Sequence, residues 1–167
     1  MNAYTVIELN KEYMGFDAAH FTIYSATHRE RLHCHNFRVY ASLTAKIDDN
    51  GMTFDYGLYK KKIRVLCDEL SQYTLIADYS PYLRLVEEGD YLYAHFDQEK
   101  IPFLKKDVKR LPLRNITVEE LSRWFIEKLT ADSKDLEKYS IQHIVIKVCS
   151  APGQCGSCEW RLHSNMD

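Results

Sequence analysis

Apolar and polar positions alternate along three stretches in the first third of the chain. Tyr4 to Leu9 and Phe16 to Ile23 are rich in aromatic and β-branched residues, with Asn10, Lys11 and Gly15 between them, and both predict strands. From Leu32 to Ile47 the alternation is longer and puts His33, His35, Phe37, Val39, Ala41 and Leu43 on one face. Asp48-Asp49-Asn50-Gly51 then supplies turn residues. At Tyr59 the period lengthens, and Tyr59, Ile63, Leu66 and Leu70 mark one side of a helix, with Lys60, Lys61, Lys62 and Arg64 mostly on the other. That basic cluster reads as a solvated face, with attraction of an anionic substrate as the alternative. Residues 80 to 115 are less regular: Arg84 to Glu87 and Tyr91 to Phe96 flank Glu88-Gly89-Asp90 as a hairpin would, while Pro102 and Pro112 punctuate the rest. The segment reads as an insert. Thr117 with Glu120 forms a capping box ahead of a second helix faced by Leu121, Trp124, Phe125 and Leu129. Ile141 to Val148 predicts a buried strand, Pro152-Gly153 a break, and Glu159 to Leu162 a short last strand. The order is strand, strand, helix, insert, helix, strand, strand in one α+β domain over residues 1 to 167.

Composition narrows the function. With 167 residues, 46% hydrophobic and 28% charged, the chain is ordinary globular material with room for a sizeable core. A net charge of -2 gives no electrostatic footprint for nucleic acid or an anionic membrane, and no basic run suggests either partner. The start of the sequence shows no secretory leader, and no apolar run reaches membrane-spanning length, so a cytoplasmic protein is expected. The five cysteines are then expected as reduced thiols or ligands rather than as a disulfide framework. Cys155 and Cys158 form a C-x-x-C pair near Cys149, open to a metal or redox role but read first as ordinary thiols.

The residues that carry chemistry are histidines. In GFDAAHF, Phe16, Ala18 and His20 alternate, so an antiparallel neighbour of the His33 strand would bring His20 beside His33 and His35. Three neutral imidazoles with an open fourth position make a catalytic zinc site; three hydrogen-bonded core histidines are the plainer alternative. Cys34 alternates to the opposite face. His28, His95, His143 and His163 have no such partners and read as surface or loop residues. Glu30 is either one charge in a solvated Arg29-Glu30-Arg31 run or a general base beside the histidines.

With these segments in view, nearly the whole chain resembles the 6-pyruvoyltetrahydropterin synthase and 6-carboxytetrahydropterin synthase family. The resemblance lies in the F-x-A-x-H strand (Phe16, Ala18, His20), in Leu32-His33-Cys34-His35-Asn36, in Asp55-Tyr56 before the first helix, in NITVEELSRW and in SAPGQ. It implies the tunnelling fold, a four-stranded antiparallel sheet with two helices on one face, assembling into barrels that are commonly hexamers with active sites between subunits. By resemblance His20, His33 and His35 become ligands of a zinc cofactor. No cysteine precedes the His-x-His segment; Arg29 to Phe37 instead resembles the subgroup in which glutamate replaces it, which makes Glu30 the catalytic acid/base. That subgroup cleaves 7,8-dihydroneopterin triphosphate to 6-hydroxymethyl-7,8-dihydropterin, a folate precursor. Asp55 is matched as a substrate-binding position. Ser71 and Gln72 stand where the family has an Asp-His proton relay, and Cys149 stands near the place of the glutamate that anchors the pterin ring. The alternatives are a deazapurine-pathway enzyme of the 6-carboxytetrahydropterin synthase type, and a zinc-stabilised homologue that binds a ligand without turning it over. The expected partner is a small pterin-like substrate.

Overall fold

The longest alternating stretch becomes the axis of the main sheet. In a computed structural model, which describes residues 3 to 162, β3 (His33–Lys46) buries Phe37, Val39, Ala41, Leu43 and Ala45 on one face and turns Cys34, Asn36 and Arg38 outward. Two strands share one edge of it. β1 (Tyr4–Leu9) pairs antiparallel with its second half, Leu9 opposite Ala41, and β2 (Gly15–His20) with its first half, His20 opposite His33. On the other edge β9 (Ile141–Ala151) pairs antiparallel with β3, and β10 (Gln154–Arg161) with β9. The antiparallel unit is thus four strands deep, with β1 and β2 in tandem as its first member. β4 (Thr74–Ala77) and β8 (Val108–Leu111) extend the sheet in parallel beyond β2.

Two amphipathic helices cover one face. α1 (Gly57–Leu70) buries Tyr59, Ile63, Leu66, Cys67 and Leu70, and α2 (Val118–Thr130) buries Leu121, Trp124, Phe125 and Leu129 against the same core. Thr117 caps α2 by accepting from the Glu120 amide at 3.3 Å. The box is only half formed, because the Glu120 carboxylate turns to the Arg114 amide (3.1 Å) and the Arg123 guanidinium. The first turn of α2 sits directly on Gly156 of β10: a Cβ there would lie 2.8 Å from the Glu119 nitrogen and the Val118 carbonyl carbon. This is a close approach that only glycine permits.

Several elements depart from the sequence expectation. β2 ends at His20, and Phe21 and Ile23 leave the sheet for a second apolar cluster with Ile76, Leu83, Ala94 and Phe96. The expected hairpin forms from β5 (Arg84–Glu88) and β6 (Tyr91–Phe96) around Gly89, whose φ is +56°. A third strand, β7 (Glu99–Leu104), adds to it and carries Pro102 on the sheet's edge, where a missing N–H interrupts no ladder. β4 and β8 have four residues each, too few to show a period. A short helix, α3 (Ser133–Lys138), capped by Asp132, precedes β9. The last strand starts at Gln154, five residues before its expected position, because Cys155-Gly156-Ser157 carries little strand propensity of its own. Cys149 and Cys155 are joined in a disulfide across the Pro152-Gly153 turn, in contrast to the expectation of reduced thiols. Strand register explains it: Cys155 lies opposite Cys149, whereas Cys155 and Cys158, three apart on one strand, point to opposite faces.

Candidate metal centre and active site

The pairing of β2 with β3 gathers His20, His33 and His35 at one end of the sheet, with their ligand atoms all within 4.8 Å of one another. Two of the rings are fixed through backbone partners. His20 Nδ1 is 2.8 Å from the Ile116 carbonyl, His33 Nδ1 is 2.8 Å from the Arg31 carbonyl, and Ser150 adjoins His35 in the cavity lining. A ring that donates Nδ1–H to a carbonyl presents the lone pair of Nε2, the tautomer a metal ligand needs. The buried Nε2 of His20 has no hydrogen-bond partner among the described residues. The Nε2 atoms of His33 and His35 stand 3.0 Å apart, two acceptors facing each other when both rings carry their proton on Nδ1. An orphaned buried acceptor beside two opposed acceptors fits a cation that all three would ligate.

The surroundings of His20 and His35 favour their neutral forms. Burial holds His20 below the usual imidazole value, helped by His33 and His35 and opposed by the Ile116 carbonyl. Burial also lowers His35, with His33 adding to the effect. Neutral imidazoles bind a divalent ion without first releasing a proton.

Glu30 completes the cluster. The segment after β2 folds back on itself, with the Glu30 amide donating to the Thr22 carbonyl (2.8 Å) and Tyr24 N–H to the His28 carbonyl (2.9 Å). The Glu30 carboxylate accepts from the Thr22 amide (3.0 Å) and the Tyr24 hydroxyl (2.8 Å), and one oxygen lies 3.9 Å from His33 Nε2. Burial works against the charged form, but these two hydrogen bonds and His33 outweigh it and hold the carboxyl below its ordinary range. The same hydrogen bond raises the Tyr24 phenol. The histidines and Glu30 line a cavity of about 460 Å³ closed on one side by Thr117, Val118 and Glu119 at the start of α2.

The other sequence candidates lie elsewhere in the chain. Asp55 accepts from the Gly57 amide at 2.9 Å, ahead of α1. Ser71 ends α1 and donates to Asp17 at 3.2 Å; Gln72 follows at φ +67°, its amide donating to the Asp17 carbonyl. None of the three lines the triad cavity. Cys149, held in its disulfide, lines a groove with Cys34, Arg38, Tyr40 and Lys147 and does not line the triad cavity, whereas the next residue, Ser150, lines both. His28 and His95 stand apart from the cluster, His143 pairs with Glu159 at 2.8 Å, and His163 lies outside the described residues. Sequence reasoning missed Thr22, Tyr24 and Ser150. Tyr24 was legible only if residues 22 to 30 were read as a tight return of the chain.

A curled antiparallel sheet backed by two helices, with three histidines on adjacent strands able to hold a metal, defines a protein of the tunnelling-fold class. The sequence matches the 6-pyruvoyl tetrahydropterin synthase family over residues 8–159, and the chain belongs to that family, whose members are lyases of pterin metabolism. The fold is shared with the 6-pyruvoyl tetrahydropterin synthase of Plasmodium vivax (TM-score 0.91, 24% identity, covering 96% of this chain and 100% of that one). It is shared equally with the Plasmodium falciparum protein of that name (TM-score 0.91, 24% identity, 96% and 100% covered). A Plasmodium vivax variant described as a catalytic-residue mutant, with cysteine in place of glutamate, matches with TM-score 0.91 at 23% identity over 96% and 100% of the two chains. No curated protein matches the sequence. Among the described residues no helix is long and apolar enough to cross a membrane.

Proposed function

We propose that this chain is a zinc-dependent lyase that cleaves the side chain of 7,8-dihydroneopterin triphosphate, or of a related dihydropterin, to give 6-hydroxymethyl-7,8-dihydropterin. The observation that carries the reading is the ionised Glu30 carboxylate, held by Tyr24 and Thr22 with one oxygen 3.9 Å from His33 Nε2. The glutamate described as catalytic in the Plasmodium vivax relative supports the same role. His20, His33 and His35 would hold the zinc, which supplies Lewis acidity toward negative charge on the substrate's side chain. Glu30 takes the proton of the hydroxyl on the departing carbon, whose oxygen becomes the carbonyl of a released phosphorylated aldehyde as the electron pair of the carbon–carbon bond passes into the pterin ring. The protonated Glu30 then returns its proton to the carbon left on the ring. The hydroxyl of Tyr24 stays on the other carboxylate oxygen throughout and keeps the active one turned to the cavity.

Ser71 and Gln72 lie outside the triad cavity of their own chain. We assign them to the cavity of a neighbouring subunit in a homo-oligomer, a hexamer by likeness to the family. There they offer a hydroxyl and an amide rather than a base. The same substitution, with Cys149 near the place of the carboxylate that would grip the pterin, favours a second reading in which the fold and zinc serve a diverged substrate or bind a ligand without consuming it. Incubating zinc-loaded protein with 7,8-dihydroneopterin triphosphate and identifying products by mass spectrometry separates the two. The first reading expects 6-hydroxymethyl-7,8-dihydropterin, and expects Glu30→Gln to lower turnover roughly 10²- to 10⁴-fold with zinc retained. Untouched substrate with zinc in place overturns it.

A further inference from the structure

Among the described residues, every hydrogen bond that the Glu30 side chain makes comes from its own loop: Thr22 and Tyr24 belong to the same return of chain, so they move with it. Besides the Arg31 carbonyl held by His33 of β3, two polar contacts among the described residues anchor that loop from outside. Asn115 brackets Ile23 from the β8 side, accepting from its amide (3.1 Å) and donating to its carbonyl (2.8 Å). On the Glu30 arm the anchor is Arg29. Its guanidinium donates from Nε to Glu99 Oε2 at 2.7 Å, with Nη2 2.5 Å from the same oxygen, while Nη1 donates to the Glu30 carbonyl at 2.8 Å. The group is sandwiched in the second apolar cluster, 5.2 Å from the Phe21 ring and 5.8 Å from the Phe96 ring. Its side chain is 18% exposed, so this ion pair has one end largely out of water. Glu99 opens β7, just after the turn that joins it to β6.

We infer that the three-stranded sheet over residues 84 to 104 is a brace for the proposed base, and that Arg29 and Glu99 are positioning residues that set the Glu30 carboxylate against the histidine cluster. A guanidinium reaches both partners because its donors fan out in one plane; Met reaches neither. The inference rests on the reading of Glu30 as the base, and it gives the insert a function beyond covering apolar surface. Losing the brace leaves the three histidines in place, since His20 is carried on β2 and His33 and His35 on β3, outside the loop, and the Ile116 carbonyl that holds His20 comes from elsewhere in the chain.

The test uses full-length, zinc-loaded protein carrying Arg29→Met or Glu99→Gln, each alone and in a Glu30→Gln background, with 7,8-dihydroneopterin triphosphate as substrate. The expected result is a fall in kcat of roughly 10- to 100-fold with KM and zinc affinity near wild type, as for a small misplacement of a reacting group. In the Glu30→Gln background neither change costs anything further, because both act through Glu30. Amide hydrogen exchange is the readout independent of turnover, and acceleration confined to residues 22 to 31 is expected in both variants. Equal losses with and without Glu30, or exchange that rises across the whole sheet, overturn the inference. If Glu30→Gln keeps full turnover, it is the assignment of the base that fails, and the exchange pattern still decides whether Arg29 and Glu99 hold the loop.

Discussion

Adding zinc to the metal-free, untagged protein is the perturbation whose effect follows most directly from the geometry. The three histidines are pre-oriented, and the buried Nε2 of His20 gains its first partner on binding. At free zinc 100 times the dissociation constant the folded state gains about 2.7 kcal/mol. For a chain of this length that moves the thermal midpoint up by about 5–11 °C. Magnesium under the same conditions gives no shift, because it prefers oxygen ligands to imidazoles. pH adds a signed check on the apo protein. Burial holds folded His20 and His35 below the ordinary imidazole value, so between that value, about 6.5, and the lowered folded values the unfolded chain binds more protons. Metal-free stability therefore falls as pH drops through that window, while the zinc-induced shift persists until pH falls below the lowered folded values, where protons compete for the imidazoles. Differential scanning fluorimetry with zinc, magnesium and chelator, repeated from neutral to mildly acid pH, reads both effects. An unchanged midpoint with zinc, or an equal rise in His33→Ala, refutes the three-histidine site.

Gly156→Ala is expected to destabilise by about 1–3 kcal/mol, because its Cβ meets the α2 backbone at 2.8 Å and rigid backbone cannot yield cheaply; urea unfolding measures it. Alkylation of the denatured, unreduced protein followed by mass spectrometry is expected to label Cys34, Cys67 and Cys158 and leave Cys149 and Cys155 joined. Glu120 is partly buried, which disfavours its charge, but the Arg123 guanidinium and the Arg114 amide outweigh this and keep its carboxyl below the ordinary range. Its contribution is therefore full above that range and lost as pH falls through the lowered value. Glu120→Gln should be less stable than wild type at about pH 7, with the gap closing below about pH 4 in urea titrations.

The three-histidine cluster was legible because it is written in two local patterns. His33 and His35 share a face of one strand by period alone, and His20 needed only an antiparallel neighbour in the right register, which the paired apolar residues of GFDAAHF and HNFRVYASL enforce. Both long helices announced themselves through their apolar faces, and Thr117 marked the start of one. Glu30 was legible as a candidate and no more, since its spacing from His33 says nothing about which way a polar loop turns.

The sequence by itself determined the alternation that builds β2 and β3, the helical faces of α1 and α2, and the three imidazoles on one side of the sheet, because each depends on periods shorter than a single element. Only the tertiary structure decided what surrounds them. Tyr24 and Thr22 reach Glu30 because the loop returns on itself; Ile116 reaches His20 from nearly a hundred residues away; Glu99 reaches Arg29 from the insert; Cys155 meets Cys149 through strand register. Such contacts carry no local period, since they join residues whose separation along the chain is set by how the elements pack and not by any repeat within them.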